Sequence, residues 1–167
     1  VACQSLKHQF PAEYARIGTV GISYQMHGLV LTDMKLMPLR PAIIWCDSRA
    51  VAIGEKAFHE LGNENCLSHF LNSPGNFTAS KLRWVQENEP SLYFQARYAL
   101  LPGDYIAARL TGEVHTTFTG LSEAILWDFI NNKPAHSLFT YFDFNEDLFP
   151  KAVGSFGDQG SVLDEVA

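Results

Sequence analysis

The strongest constraint on how this chain can fold is the way its apolar runs alternate in kind. Short runs rich in Val, Ile, Leu and Thr are followed by longer ones in which apolar residues recur every three or four positions, and Gly or Pro separates them. A period of two suits a pleated strand and a period near 3.6 suits a helix. Strands alternating with helices predict an α/β domain.

In chain order, the first residues to His8 read as the end of a helix, broken by Phe10-Pro11. Thr19, Val20 and Ile22 predict a buried strand. Gly28 permits a sharp turn, and LVLT at 29–32 starts a second strand. Residues 39–45 (LRPAIIW) predict another strand, with Pro41 near its start, where a missing N–H is tolerated. Pairing of 29–32 with 39–45 as a hairpin makes the sheet mixed. Asp47 or Ser48 is expected to cap a helix that stops at Gly62, with Ala50, Ile53, Ala57 and Leu61 on one face. A short helix over 64–71 and a loop at 72–75 follow. Asn76 or Thr78 is expected to cap a helix that points Leu82 and Val85 inward and ends at Glu89-Pro90. Ser91 is expected to cap a short helix, and 98–101 predicts a buried strand. Asp104 is expected to cap a helix that stops at Thr111-Gly112. Residues 114–118 are polar and β-branched, which predicts an edge strand. A turn at 119–122 before a segment at 123–129, a turn at 131–134, a helix at 137–142, a helical turn within 143–149 and a glycine-bearing connector over 153–167 complete the reading.

A length of 167 residues with 47% hydrophobic side chains suits one domain, or two very small ones, with a substantial core. The net charge is −6 and no Lys/Arg cluster appears, which argues against nucleic acid as a partner. No apolar run has the length of a membrane span. Three scattered cysteines argue against a disulfide framework and fit a reducing, cytoplasmic setting. Cys66 and His69 have half the spacing of a zinc site without a second pair, so no metal site is assigned. The chain starts with Val1 and runs straight into a helical pattern, which reads as a fragment of a longer protein.

Gln25, Met26 and His27 sit where a predicted strand ends. In open α/β sheets ligands bind outside the carboxyl ends of strands. An imidazole has both a donor and an acceptor for a polar small molecule. The plainer roles are a satisfied polar residue for His27 and core filling for Met26.

Several stretches, in order and spacing, resemble one family. They are GISYQMHG at 21–28, LRPAIIWCDSR at 39–49, FTASKLRWVQEN at 77–88, LLPGDYI at 100–106 and LTGE at 110–113. Together they resemble the FGGY carbohydrate kinases, most closely the xylulokinases. The resemblance implies a ribonuclease-H-like (actin-like ATPase) domain, with a mixed sheet flanked by helices. Residues 1–167 would be most of the N-terminal, sugar-binding domain of a two-domain kinase. It implies transfer of the γ-phosphate of ATP, with Mg²⁺, to a sugar hydroxyl, most closely that of D-xylulose. Siblings use L-ribulose, glycerol or gluconate, and the rival class is a non-catalytic sugar-sensing domain. By this resemblance Met26 and His27 line the sugar pocket, Trp45 packs on the apolar face of the substrate, and Asn76 contacts a hydroxyl. Trp45 as core and Asn76 as helix cap are the alternatives. Asp47 and Arg49 are expected to form an ion pair, with Lys81 and Trp84 structural. No catalytic residue is assigned within the chain. The family's D-x-G-T phosphate loop and its catalytic aspartate fall outside it, and so do the adenosine site and the C-terminal domain, which would be its partner. A homodimer is the family expectation.

Overall fold

The computed structural model describes residues 2–164. Val1 and residues 165–167, which the sequence places at a helix end and in the terminal connector, lie outside the described residues. The element order is α1 (Ala2–Gln9), α2 (Pro11–Tyr14), β1 (Val30–Thr32), α3 (Val51–Leu61), α4 (Asn63–His69), α5 (Thr78–Asn88), α6 (Pro90–Gln95), β2 (Tyr98–Leu100) and α7 (Pro102–Thr111). It continues with β3 (His115–Thr117), α8 (Phe118–Glu123), β4 (Trp127–Asp128), β5 (Lys133–Pro134), α9 (His136–Phe142), a 3₁₀ turn (Glu146–Leu148) and β6 (Lys151–Val153).

The strands form short ladders of both senses. β1 and β2 are antiparallel, with Leu31 opposite Ala99. β3 and β6 are parallel, and β4 and β5 antiparallel. The α/β class and the mixed pairing are as expected. The sequence reading missed α2, β4, β5 and β6, because two to four residues offer too little pattern to read.

Two predicted strands differ. Residues 19–22 make no ladder among the described residues, and Val20 and Ile22 are 57% and 37% exposed. An apolar run of this kind is buried only when neighbours cover it, and no described strand lies alongside. Residues 39–45 are not a continuous strand either. They follow β1 through two isolated bridges, Leu29 with Ile43 and Thr32 with Pro38. Backbone bonds Leu39 N–H to Leu31 O (2.9 Å) and Ile43 N–H to Leu29 O (3.0 Å) keep the hairpin. Pro38 and Pro41 lack N–H donors, so the ladder cannot close between them.

Helix starts also depart from expectation. α3 begins after Ala50 and α6 after Glu89, without side-chain caps, so Asp47, Ser48 and Ser91 do not cap. Thr78 Oγ1 donates instead to the carbonyl of Gly28 at 3.2 Å. Asp104 is the third residue of α7, and its carboxylate reaches back to the N–H of Leu101 and to the hydroxyl of Thr116. That is one half of a capping box, the N3 side chain on the N-cap N–H, since the Leu101 side chain cannot return a bond. The expected turn at 119–122 is helical, because Thr117 accepts from the N–H of Gly120 at 2.9 Å and starts α8.

The core is one contiguous cluster. It includes Leu29, Leu31 and Ile43 of the hairpin, Leu82 and Val85 of α5, and Leu138, Phe139 and Phe142 of α9. Each such side chain contributes about 1.5–3 kcal/mol by leaving water. The first half of α5, from Thr78 to Leu82, is buried on every side. α3 can lie close to the loop that leads into α5 because Gly54 has no side chain: a Cβ there would sit 1.9 Å from the carbonyl oxygen of Gly75. Phe139, Phe144 and Phe149 form edge-to-face contacts, with Phe139 and Phe149 centred 5.0 Å apart at 88°. Such pairs add to simple burial.

Asp128, buried at the end of β4, fastens α4. Both carboxylate oxygens lie 3.0 Å from His69 Nδ1, and the Asn131 backbone and amide donate to it at 3.0 and 2.7 Å. Burial raises its pKa, but the bonds from Asn131 and His69 more than offset that and bring it to about 2, against an ordinary 3.8. A carboxyl depressed on folding stabilises the protein above its unfolded pKa, and that stability is lost as pH falls toward the folded one. Acid destabilisation between about pH 4 and about pH 2 is therefore expected. Asp128→Asn should lower the unfolding free energy at neutral pH by about 1–3 kcal/mol and flatten that acid slope, as read from urea melts across pH.

Candidate functional site

Three stretches separated in sequence converge beside the start of β1: residues 24–28, 45–49 and 76–84. α5 supplies the floor. Lys81 lies on its buried face with no solvent exposure, and its ammonium donates to the carbonyl of His27 at 2.6 Å. Burial pulls the pKa of Lys81 down, while Asp47 and Cys46 nearby push it up. A buried ammonium needs partners of this kind to remain charged.

His27 adopts a left-handed backbone, φ 59°, which a residue with a Cβ takes only when its surroundings impose it. The sharp turn expected at Gly28 is thus made by His27. Gly28 is needed for a different reason: a Cβ there would lie 2.4 Å from the ring of Pro102. The imidazole packs edge-on against Phe77, with centroids 4.2 Å apart. Its Nδ1 lies 3.3 Å from the carbonyl oxygen of Glu123. A carbonyl only accepts, so Nδ1 carries the proton in the neutral ring and Nε2 is left as the acceptor. Burial lowers the pKa of His27 below the ordinary 6.5, against opposing contributions from Glu123, so the neutral ring dominates at pH 7.

Asn76 Nδ2 donates to the carbonyls of Asp47 (2.7 Å) and Trp45 (3.4 Å). It is a tether between loops, and Phe77 rather than Asn76 precedes α5. Trp45 is 53% exposed and Met26 48%, so neither is core filling. Asp47 and Arg49 form the expected ion pair: Nε and Nη2 reach the two carboxylate oxygens at 2.9 and 2.6 Å. The guanidinium stacks 4.6 Å over Trp84, which fixes the rim.

The structure therefore gathers His27, Asn76 and the backbone of Trp45 around Lys81 and Phe77, with Met26 on the exposed side of the turn. Tyr24 and Glu123 also belong here, and the sequence reading did not single them out. The Glu123 carboxylate accepts from the His27 N–H at 2.6 Å and from the Tyr24 hydroxyl at 3.1 Å. A clue was available: Glu123 is a lone charge in a run whose neighbours Leu121, Ala124, Ile125 and Leu126 are all buried. Among the described residues no group of three or more His, Cys, Asp or Glu side chains is placed to hold a metal ion.

Half-exposed aromatic and polar side chains converging beside a strand of an α/β domain make the architecture of a small-molecule-binding domain. A model of the N-terminal domain of the FGGY family of carbohydrate kinases matches residues 1–167. The xylulose kinase of Bacillus subtilis (strain 168) is 34% identical over 154 residues, covering 88% of this chain and 30% of that protein. The xylulose kinase of Escherichia coli (strain K12) is 32% identical over 151 residues, covering 90% of this chain and 31% of the relative. A solved structure described as a xyloylose kinase from Brucella ovis superposes with a TM-score of 0.86 at 29% identity, covering 98% of this chain and 34% of that one. The xylulose kinase from Rhodospirillum rubrum has the same fold, with a TM-score of 0.88 at 24% identity over 99% of this chain and 34% of that one. The chain belongs to the FGGY family of carbohydrate kinases, and its fold is the actin-like ATPase fold of those sugar kinases. It spans only 30% and 31% of the length of these two curated relatives.

Lys81→Met keeps the bulk of the side chain but removes the donor to the His27 carbonyl. The expected outcome is a loss of about 1–3 kcal/mol in urea unfolding, with the His27 turn relaxing from its left-handed backbone.

Proposed function

We propose that the full-length protein transfers the γ-phosphate of ATP to a hydroxyl of a ketopentose, with D-xylulose as the leading substrate, and that residues 1–167 are most of its sugar-binding domain. The observation that carries this reading is the Met26-His27 turn. A neutral imidazole is held there with Nδ1 occupied and no described hydrogen bond to Nε2, beside a half-exposed indole. An acceptor nitrogen suits a sugar hydroxyl, and a flat ring suits the C–H face of a sugar. Relatives named xylulose kinases support the same substrate class.

In this proposal His27 Nε2 accepts from a sugar hydroxyl, Trp45 and Met26 provide apolar contact, and Asn76 orders the loop carrying Trp45. ATP supplies the phosphoryl group and Mg²⁺ would neutralise its charge. The described residues include no cluster suited to that ion. On the family's pattern its site, the general base and a C-terminal domain are assigned to parts of the longer protein. The apolar side chains of Ile17, Val20 and Ile22, exposed here, are covered by those parts. The isolated chain is expected to be inactive, and a phosphorylated sugar formed by it would overturn that expectation. No helix among the described residues is long and apolar enough to cross a membrane, and a cytoplasmic setting is proposed.

The test is ADP release by the full-length protein with Mg-ATP and a panel of sugars and polyols. Preference for D-xylulose supports the reading. Preference for another sugar keeps the kinase and overturns the substrate, and no turnover from folded protein favours a sensing domain. His27→Ala should raise KM for sugar by about ten-fold or more while leaving KM for ATP unchanged. A histidine that acts as acceptor must be neutral. Since burial holds its pKa below 6.5, sugar affinity should hold at pH 7 and fall only as pH drops further.

A further inference from the structure

One carboxylate grips both ends of the turn that carries Met26. Glu123 is the last residue of α8, whose start is fixed by Thr117. Its Oε2 accepts from the Tyr24 hydroxyl at 3.1 Å and its Oε1 from the His27 backbone N–H at 2.6 Å. The backbone carbonyl of the same residue is the partner of His27 Nδ1. Backbone and side chain of Glu123 thus address backbone and side chain of His27. From the opposite side Lys81 holds the His27 carbonyl at 2.6 Å.

We propose that Glu123 is a positioning residue for the sugar site: it holds His27 in its left-handed backbone with Nδ1 protonated, so that Nε2 is presented as an acceptor. This rests on the reading of His27 as a sugar contact, and it goes further by making a residue 96 positions away set the chemical sense of that contact. Without the carboxylate the His27 N–H is no longer held, the turn can draw Nδ1 away from the Glu123 carbonyl, and the imidazole can then turn over or change tautomer and offer N–H where a lone pair is required. The anionic carboxylate suits the task, because a charged acceptor binds an N–H about twice as strongly as a neutral one. Burial outweighs its tendency to protonate the ring, as the lowered pKa of His27 shows. The other titratable groups near the turn are Tyr24, Asp104 and Lys81. Tyr24 and Asp104 are both raised chiefly by burial, with Glu123 contributing. Glu123 therefore stands as the carboxylate bonded directly to the turn. No atom of Glu123 needs to touch substrate, and its effect passes through His27.

The experiment compares wild type, Glu123→Ala, Glu123→Gln, His27→Ala and the Glu123→Ala/His27→Ala double variant in the full-length protein. Glu123→Ala should raise KM for the sugar by about ten-fold or more with KM for ATP unchanged. Glu123→Gln keeps acceptor oxygen and should recover most of the loss. The double variant should be no worse than His27→Ala alone, because both changes remove one contact. A second readout does not depend on turnover. A Glu123→Ala chain keeps the backbone carbonyl that faces Nδ1 but loses the carboxylate that holds the His27 N–H, so in protein labelled with ¹⁵N in its histidine rings the Nδ1–H form of His27 seen in wild type should weaken as the turn relaxes away from that carbonyl. Additive kinetics, equal effects on both KM values, or an unchanged His27 spectrum in Glu123→Ala would overturn the proposal. If wild type turns over no sugar, the functional reading fails on its own, and the His27 spectrum still decides whether Glu123 sets the ring.

Discussion

The site depends on a cation taken out of water. Lys81 has no solvent exposure, and its ammonium is held by the carbonyl of His27, with Asp47 near enough to favour its charge. Burying an ammonium without partners costs several kcal/mol, so the surrounding backbone must supply acceptors. That requirement accounts for the rest of the arrangement. The His27 carbonyl must point at α5, the chain must enter a left-handed turn to achieve it, and Glu123 takes the N–H that the turn leaves over.

The requirement can be met only because α5 is a rigid, buried platform. Thr78, Ala79, Ser80 and Leu82, its neighbours along the helix, are buried with Lys81. The far end of the helix is pinned as well: Arg83 donates to the carbonyl of Phe142 and Gln86 to that of Asp143, both at 2.8 Å. These bonds satisfy carbonyls that the end of α9 leaves unpaired. The aromatic contacts around Phe139 then secure α9. A loop-borne histidine is thereby tied to the core through one helix, as a pre-organised binding site requires.

The rim follows a different logic. Asp47 and Arg49 are partly exposed, and their pairing is local. An exposed pair of this kind contributes little to stability. Its effect is geometric: the guanidinium lies over Trp84 of α5, while Asn76 holds the carbonyls of Asp47 and Trp45. The half-exposed Trp45 is thereby presented from a braced loop, by contacts that cost little to remake if the site opens.

Local pattern determined the class of the fold, the existence of most helices and the hairpin at 29–45, because spacing of apolar residues and Gly/Pro punctuation act over a few residues. The motifs at 21–28 and 77–88 also pointed to Met26, His27 and the family. Tertiary structure decided the rest. Residues 19–22 have the pattern of a strand, yet a strand needs a partner that pattern cannot supply. Asn76 and Thr78 have the chemistry of helix caps, yet stronger calls on their side chains come from Asp47 and Gly28, 29 and 50 residues away. Glu123 carries no motif, and its link to His27 spans 96 residues. Local sequence fixes which groups exist and which secondary structure each segment prefers. Which donor meets which acceptor is set by packing, because buried polar groups must find partners wherever the fold brings them.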